Sequence, residues 1–180
     1  MKILYVRHGR STANANGTIG EPGTLLAEEG LEQARVTGQD LKDHNVTNIV
    51  CSPYIRAQQT AEIIAGELGI PVHEIVVIDE LHERRMGELE GGPKQHPTEF
   101  FYQNDTEFGF EPQEDLIARL TIAVAKVRDI AGKASGTTVV VGHATSGFYF
   151  IQVAKGRTKF EDFDSVNQMD NAEFTEVELA

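Results

Sequence analysis

The sequence predicts an α/β protein, a three-layer α/β/α sandwich around a mostly parallel sheet. Three observations carry that prediction. Apolar runs rich in Val and Ile, ending at Val6 and covering 48–52, 72–78 and 137–142, are continuous rather than alternating, as strands buried on both faces are. Segments of helical period stand between them, as crossover helices do in parallel sheets. The first run stops sharply at Arg7 and gives way to glycine and small polar residues, the mark of a strand end opening into a loop.

The elements follow in order. After the first strand, Glu28 to about His44 places Leu31, Ala34, Gly38 and Leu41 at helical spacing, with Glu28 and Glu29 suited to a helix N-terminus. NIVCS (48–52) reads as a second strand, and Arg56 to Leu68 as a helix with Ala57, Ala61, Ile64 and Leu68 on one face. VHEIVVI (72–78) reads as a third strand. A long helix from Glu114 to Lys133 carries Leu116, Leu120, Ala123, Val127 and Ile130 in register. TTVVVG (137–142) is a fourth strand, GFYFIQVA (147–154) a further helix, and the tail with Phe174, Val177 and Leu179 an edge strand. No repeat or linker divides the 180 residues, so a single domain over 1–180 is expected. Residues 84–113, irregular and rich in Gly, Pro, His and aromatics, are too long for an ordinary connection and read as a lid or substrate-specificity segment.

Charge narrows the function. Twenty-eight acidic against sixteen basic residues give a formal net charge of −12, which opposes binding to nucleic acid or to an anionic membrane surface. No apolar stretch reaches the ~20 residues of a membrane span, and Met1-Lys2 lead straight into a strand with no signal-peptide core, so a cytoplasmic location is expected. The single cysteine, Cys51, offers neither a disulfide framework nor a Cys/His metal spacing, so zinc is not expected, and nothing in the sequence calls for a cofactor. The partner is expected to be a small molecule.

The sheet then decides where that molecule sits. The first strand ends on Arg7-His8, the second leads through CSPYIR to Arg56, and the fourth ends on Gly142-His143. Three strand ends deliver cationic or imidazole groups to one rim, where open α/β sheets bind ligands. Arginine's planar fork of donors suits phosphate. Cys51 and Arg56 invite comparison with cysteine-dependent phosphatases, but only Ser52-Pro53-Tyr54-Ile55 intervene, with no glycine and with a proline that lacks a backbone donor. Cys51 is expected to be a buried strand residue.

At these residues the chain resembles a known family. RHGRSTAN (7–14) is similar to the RHG signature of the histidine phosphatase superfamily, phosphoglycerate-mutase-like branch. LLAEEGLEQA (25–34), CSPYIRAQQTAEIIA (51–65), LHERRMGELEGG (81–92) and VVVGHATSG (139–147) resemble that branch's later motifs, in the same order. The resemblance implies a phosphoglycerate-mutase-like fold and a metal-independent phosphomonoesterase working through a phosphohistidine. His8 would be the nucleophile; Arg7, Arg56 and His143 would hold the phosphoryl oxygens. A carboxyl must protonate the leaving group. By position alone Glu80, Glu88 and Glu90 rival Glu83; the resemblance selects Glu83. It also implies that Ser11 and Asn14 touch phosphate. Arg10, two residues past the nucleophile on the same loop, is expected at the rim of the site by its position, and with Ala144 it is counted among the substrate-binding residues. Arg10 stands where the family often has Glu or Gln, and Ala144-Thr145 where Gly is frequent.

Phosphatase and mutase readings then separate on the substrate pocket. ERRMGELEGGPK (83–94) aligns without a gap on the mutase segment that ends in a substrate-contacting lysine, here Lys94. However, no Lys or Arg stands between Glu99 and Ala118, where mutases carry an arginine pair. Phe100, Phe101, Tyr102, Phe108 and Phe110 suit a less charged organic phosphate. The phosphatase is favoured, with the mutase as alternative and an inactive phospho-ligand binding protein as a third reading.

Overall fold

In the computed structural model, which describes residues 1–102, 108–157 and 169–180, strands β1 (Lys2–Arg7), β2 (Val46–Cys51), β3 (Val76–Val77), β4 (Thr137–Gly142) and β5 (Phe174–Glu178) form one sheet in the order β3-β2-β4-β1-β5. β1 to β4 pair in parallel, and β5 closes one edge antiparallel to β1. The helices are α1 (Thr12–Asn16), α2 (Glu28–Asp40), α3 (Ile55–Leu68), α4 (Gln113–Lys133) and α5 (Thr145–Ala154).

The pleat sorts the strand residues into two cores. Leu4, Val6, Ile49, Cys51, Val139 and Val141 pack with Ala57, Ala61 and Ile64 of α3. Ile3, Tyr5, Val50 and Val140 face the other way, onto Leu116, Leu120 and Val127 of α4 and Tyr149 and Phe150 of α5. One core on each face of the sheet makes the three layers. Each fully buried aliphatic or aromatic side chain contributes about 1.5–3 kcal/mol, so both faces must be covered.

Two sequence expectations are corrected. The third strand is not 72–78: Pro71 leads into a 3-10 turn at Val72–Glu74, and only Val76–Val77 pair with β2. This apolar run lies at the sheet edge, and Val72, Val76 and Val77 are exposed. The second correction is α2, which ends at Asp40 and is followed by a 3-10 turn at Leu41–His44; its inner face is Gly30, Ala34, Thr37 and Gly38, while Leu31 is 41% exposed. The glycine face turns inward because the helix lies directly on the loop after β1: a Cβ on Gly30 would stand 2.0 Å from the Arg10 carbonyl oxygen.

Residues 84–113, apart from 103–107 which lie outside the described residues, contain 3-10 turns at Gly87–Leu89 and Thr98–Tyr102. Met86, Phe101, Tyr102 and Phe110 are buried and continue the core on the α4/α5 face. The segment stands over the C-terminal rim of the sheet by burying its own aromatics.

Candidate active site

β1 and β4 are neighbours, with Arg7 opposite Gly142, and β2 flanks β4 with Cys51 opposite Val141. The ladder runs one step past the strands: the His8 amide donates to the Gly142 carbonyl (2.9 Å) and the Ser52 amide to that of Val141 (3.0 Å). Arg7, His8, Ser52 and His143 are therefore set by sheet register. A cavity of about 110 Å³ opens above them. Arg7, His8, Ser11, Asn14, Arg56 and Glu83 line it, together with Lys94, Thr98, Phe101 and Tyr102.

His8 is 4% exposed. Its Nδ1 lies 2.7 Å from the Gly9 carbonyl oxygen, which can only accept, so the hydrogen is on Nδ1 and the lone pair is on Nε2. Arg56 Nε donates to that Nε2 at 3.1 Å. Burial, reinforced by the charges of Arg56 and Arg7, holds the imidazole well below its ordinary pKa, so His8 is neutral. The loop that shapes this arrangement needs glycine: a Cβ on Gly9 would meet the Gly30 carbonyl oxygen at 2.4 Å. The Gly9 amide in turn donates to Thr60 Oγ1 (3.1 Å), whose hydroxyl donates to the Arg56 carbonyl (2.7 Å).

His143 is buried beside His8. Its ring centre is 5.2 Å from that of His8, its Nε2 is 2.7 Å from Ser52 Oγ, and burial followed by Arg56 pushes its pKa well below the ordinary value. Its backbone is pinned by a buried hydroxyl: Tyr5 Oη donates to the His143 carbonyl (3.1 Å) and accepts from the His143 amide (2.9 Å). That ring fills space only because Gly142 and Gly147 lack side chains, since a Cβ on either would fall 2.1 or 2.6 Å from Tyr5 Oη. His143 Nδ1 and Arg7 Nε are buried with no hydrogen-bond partner among the described residues. A buried arginine N–H without an acceptor, beside a buried unpartnered imidazole nitrogen at a cationic cavity, suits an anion. Arg7 is otherwise held by Nη1 donating to the Met169 carbonyl (2.5 Å), and Arg56 by Nη1 donating to that of Glu21 (2.8 Å).

The Glu83 carboxylate lies across the N-terminus of α5, accepting from the amides of Ser146 (2.7 Å) and Thr145 (3.2 Å) and from that of Arg84 (2.8 Å). Its rivals sit elsewhere: Glu80 pairs with Lys126 at 2.7 Å, Glu90 accepts from the Met86 amide, and Glu88 is exposed. Ser11 and Asn14 cap α1 reciprocally, with Asn14 N to Ser11 Oγ and Ser11 N to Asn14 Oδ1 both 3.1 Å. Ala144 lines the cavity and caps α5. Lys94 lines it too, its Nζ 5.6 Å from the centre of the Phe101 ring, and burial with the nearby Arg7 lowers its pKa. Arg10 departs from expectation. It does not line the cavity but pairs with Glu29 on the surface at 2.9 Å.

A profile of the histidine phosphatase superfamily (branch 1) matches residues 3–180. The chain belongs to that superfamily. An uncharacterized phosphatase, PhoE of Bacillus subtilis (strain 168), is 32% identical over 176 residues, 97% of this chain and 89% of that protein. A probable phosphoglycerate mutase, GpmB of Photorhabdus laumondii, is 40% identical over 91 residues, 50% of this chain and only 41% of that protein. The solved structure of mycobacterial glucosyl-3-phosphoglycerate phosphatase with VO3 shares the fold, with a TM-score of 0.80 at 22% identity over 97% of this chain and 90% of that one.

Within this histidine phosphatase, several site residues escape a reading of the sequence. Ser52, Tyr5 and Arg84 look like a turn residue, a strand residue and a surface cation. Arg84 is in fact 1% exposed, donating Nε to the Glu111 carbonyl (3.0 Å) and Nη1 to that of Phe101 (3.1 Å). The one available signal was Tyr5, an amphipathic side chain in an otherwise aliphatic strand directly before Arg7.

Proposed function

We propose that the protein is a metal-independent phosphomonoesterase that hydrolyses a small organic phosphate through a phosphohistidine on His8. The observation that carries this reading is the fixed tautomer of His8: Nδ1–H is held by Gly9, and the Nε2 lone pair faces the cavity under a single arginine N–H. His8 Nε2 attacks phosphorus as the ester P–O bond breaks, and the Arg56 N–H that caps the lone pair passes to a phosphoryl oxygen. Arg7 and His143 offer further donors to the charge that spreads over those oxygens. The leaving alkoxide takes a proton from the Glu83 carboxyl. Water then attacks phosphorus, Glu83 takes back a proton, and the P–N bond breaks to return the lone pair to His8 and release inorganic phosphate. Among the described residues no helix is long and apolar enough to cross a membrane; with the acidic balance of charge, this supports the reading of a cytoplasmic enzyme.

The test is a rapid quench with labelled phosphomonoester. The native protein is expected to trap an acid-labile, base-stable phosphoryl group, and His8→Ala to trap none and to lose turnover while keeping its melting temperature. Label on Cys51 or on a serine would overturn the mechanism. A second reading, the phosphoglycerate mutase, is favoured by the placement of Lys94 in the cavity wall. Supplying 3-phosphoglycerate with a bisphosphoglycerate primer separates the two, since a mutase isomerises it and a phosphatase releases phosphate.

A further inference from the structure

Glu83 rides on residues 79–85, whose only regular structure is a 3-10 turn at Asp79–Leu81. No sheet ladder holds this stretch. Side chains of α4 do: Lys126 pairs with the Glu80 carboxylate at 2.7 Å, and Arg119 takes the backbone. Arg119 Nη1 donates to the carbonyls of Glu80 (2.7 Å) and His82 (2.9 Å), and Nη2 to that of Glu83 (3.3 Å). Its remaining donors go to Glu111, Nε to Oε1 at 2.6 Å and Nη2 to Oε2 at 2.8 Å. A guanidinium has five N–H donors, and all are used. Glu111 adds a contact of its own, accepting from the Arg85 amide (3.3 Å). The pair is nearly buried, at 13% and 10% side-chain exposure. A buried ion pair is a poor source of net stability compared with an apolar pair of the same size. What it supplies is direction: three carbonyls within four residues are fixed against one rigid plane, which an ammonium cannot do.

We propose that Arg119, oriented by Glu111, is the positioning residue for Glu83. It sets the backbone of 80–83 so that the carboxylate, moored on the α5 amides, faces the leaving-group oxygen. The inference rests on the reading of Glu83 as proton donor. Neither Arg119 nor Glu111 lines the cavity, so neither touches the substrate there.

The experiment measures kcat/KM, which reports formation of the phosphoryl-enzyme, for an alkyl phosphate and for 2,4-dinitrophenyl phosphate, whose leaving group needs no proton. Arg119→Lys and Glu111→Gln are compared with Glu83→Gln. Misplacement by about 1 Å can cost on the order of 10²-fold. We expect Arg119→Lys to lose roughly 10- to 100-fold on the alkyl ester and under about threefold on the dinitrophenyl ester, and to add no further loss when it is introduced into Glu83→Gln. Glu111→Gln, which preserves shape, should show the same selectivity more weakly and serves alone if Arg119→Lys does not fold. Equal losses on both esters, or none, overturn the inference. If Glu83→Gln itself shows no dependence on the leaving group, the proton-donor reading fails instead, and the two failures are told apart in one data set.

Discussion

The residues around the cavity fall into two groups, a sheet end and a far end by the elements that carry them, and the two are built in different ways. At the sheet end, Arg7, His8, Ser52 and His143 hang from strand termini or from the residue just beyond, and their backbones belong to the β1-β4-β2 ladder. At the far end, Thr98, Phe101 and Tyr102 come from a 3-10 turn, and Lys94 from a connection without regular structure. The sheet end fixes reacting atoms, because moving them would mean breaking inter-strand hydrogen bonds. The far end fixes a shape, because it is anchored by Phe101, Tyr102 and Phe110 in the α4/α5 core. A shape held by packing can change by substitution while the chemistry stays in place.

Paired substitutions break or sharpen that contrast most directly. Arg56→Ala removes the donor on His8 Nε2 and should lower kcat/KM by about 10²–10³-fold for every phosphomonoester, the span seen when one preorganised donor to developing charge is lost. Lys94→Met at the far end should cost about tenfold, the lower end for a hydrogen bond to a charged group, and only for esters bearing a second anion. Steady-state kinetics on an aryl phosphate and on a phosphorylated carboxylic acid check both. Should Lys94→Met depress the two substrates equally, the division between a reacting end and a recognising end fails.

How much of this was legible follows from the same contrast. Buried parallel strands carry unbroken apolar runs, and their crossover helices carry a 3.6-residue period, so β1, β2, β4, α3 and α4 could be read off directly. The same signal misled at 72–78, since VHEIVVI has the composition of a central strand but lies at the edge, where a proline-led turn takes half of it. Residues 84–113 have no period to read; their placement is decided by which aromatics find the α4/α5 core. In the site, Arg7, His8 and Arg56 were legible because a strand end is a position a sequence can mark. Arg119 was not. On a helix whose buried face carries Leu116 and Leu120, an arginine at the flank of that face looks like the start of the solvent side, and only the tertiary structure brings the 80–83 carbonyls to it.

Acid should find the sheet end first. Burial, then Arg56, depresses both His8 and His143 well below the ordinary imidazole value. In the unfolded chain both titrate near ~6.5. Below that pH the unfolded state binds protons that the native state refuses, so stability falls as pH drops from about 6.5 toward the native values; above it both states are neutral and the contribution is flat. Melting temperatures from about pH 7.5 to 5.5, a range above the main titration of carboxylates, should decline in the native protein and decline less in a His8→Asn/His143→Asn double variant. Parallel slopes would show that the two imidazoles are not held neutral by the fold.

The smallest effect is expected at Arg10, which lies two residues beyond the nucleophile yet belongs to neither end. Its carbonyl accepts from the Ala27 amide and its amide donates to Gln33 Oε1, so the backbone is held against α2 and the side chain runs outward to Glu29. A pair with both side chains this exposed, at 40% and 58%, contributes at most about 0.5 kcal/mol. The sequence alone suggested a rim cation drawing anions into an acidic protein. Partnered with Glu29, its charge is largely neutralised locally, and what remains is screened within about 10 Å at ordinary ionic strength. Arg10→Gln should therefore leave kcat unchanged and move KM by less than about twofold for a singly anionic ester and for one with a second anionic group alike. Repeating the measurement at low salt is the demanding case. A rise in KM confined to the doubly anionic ester, and abolished by added salt, would mean that Arg10 leaves Glu29 when substrate arrives and serves the far end of the cavity after all.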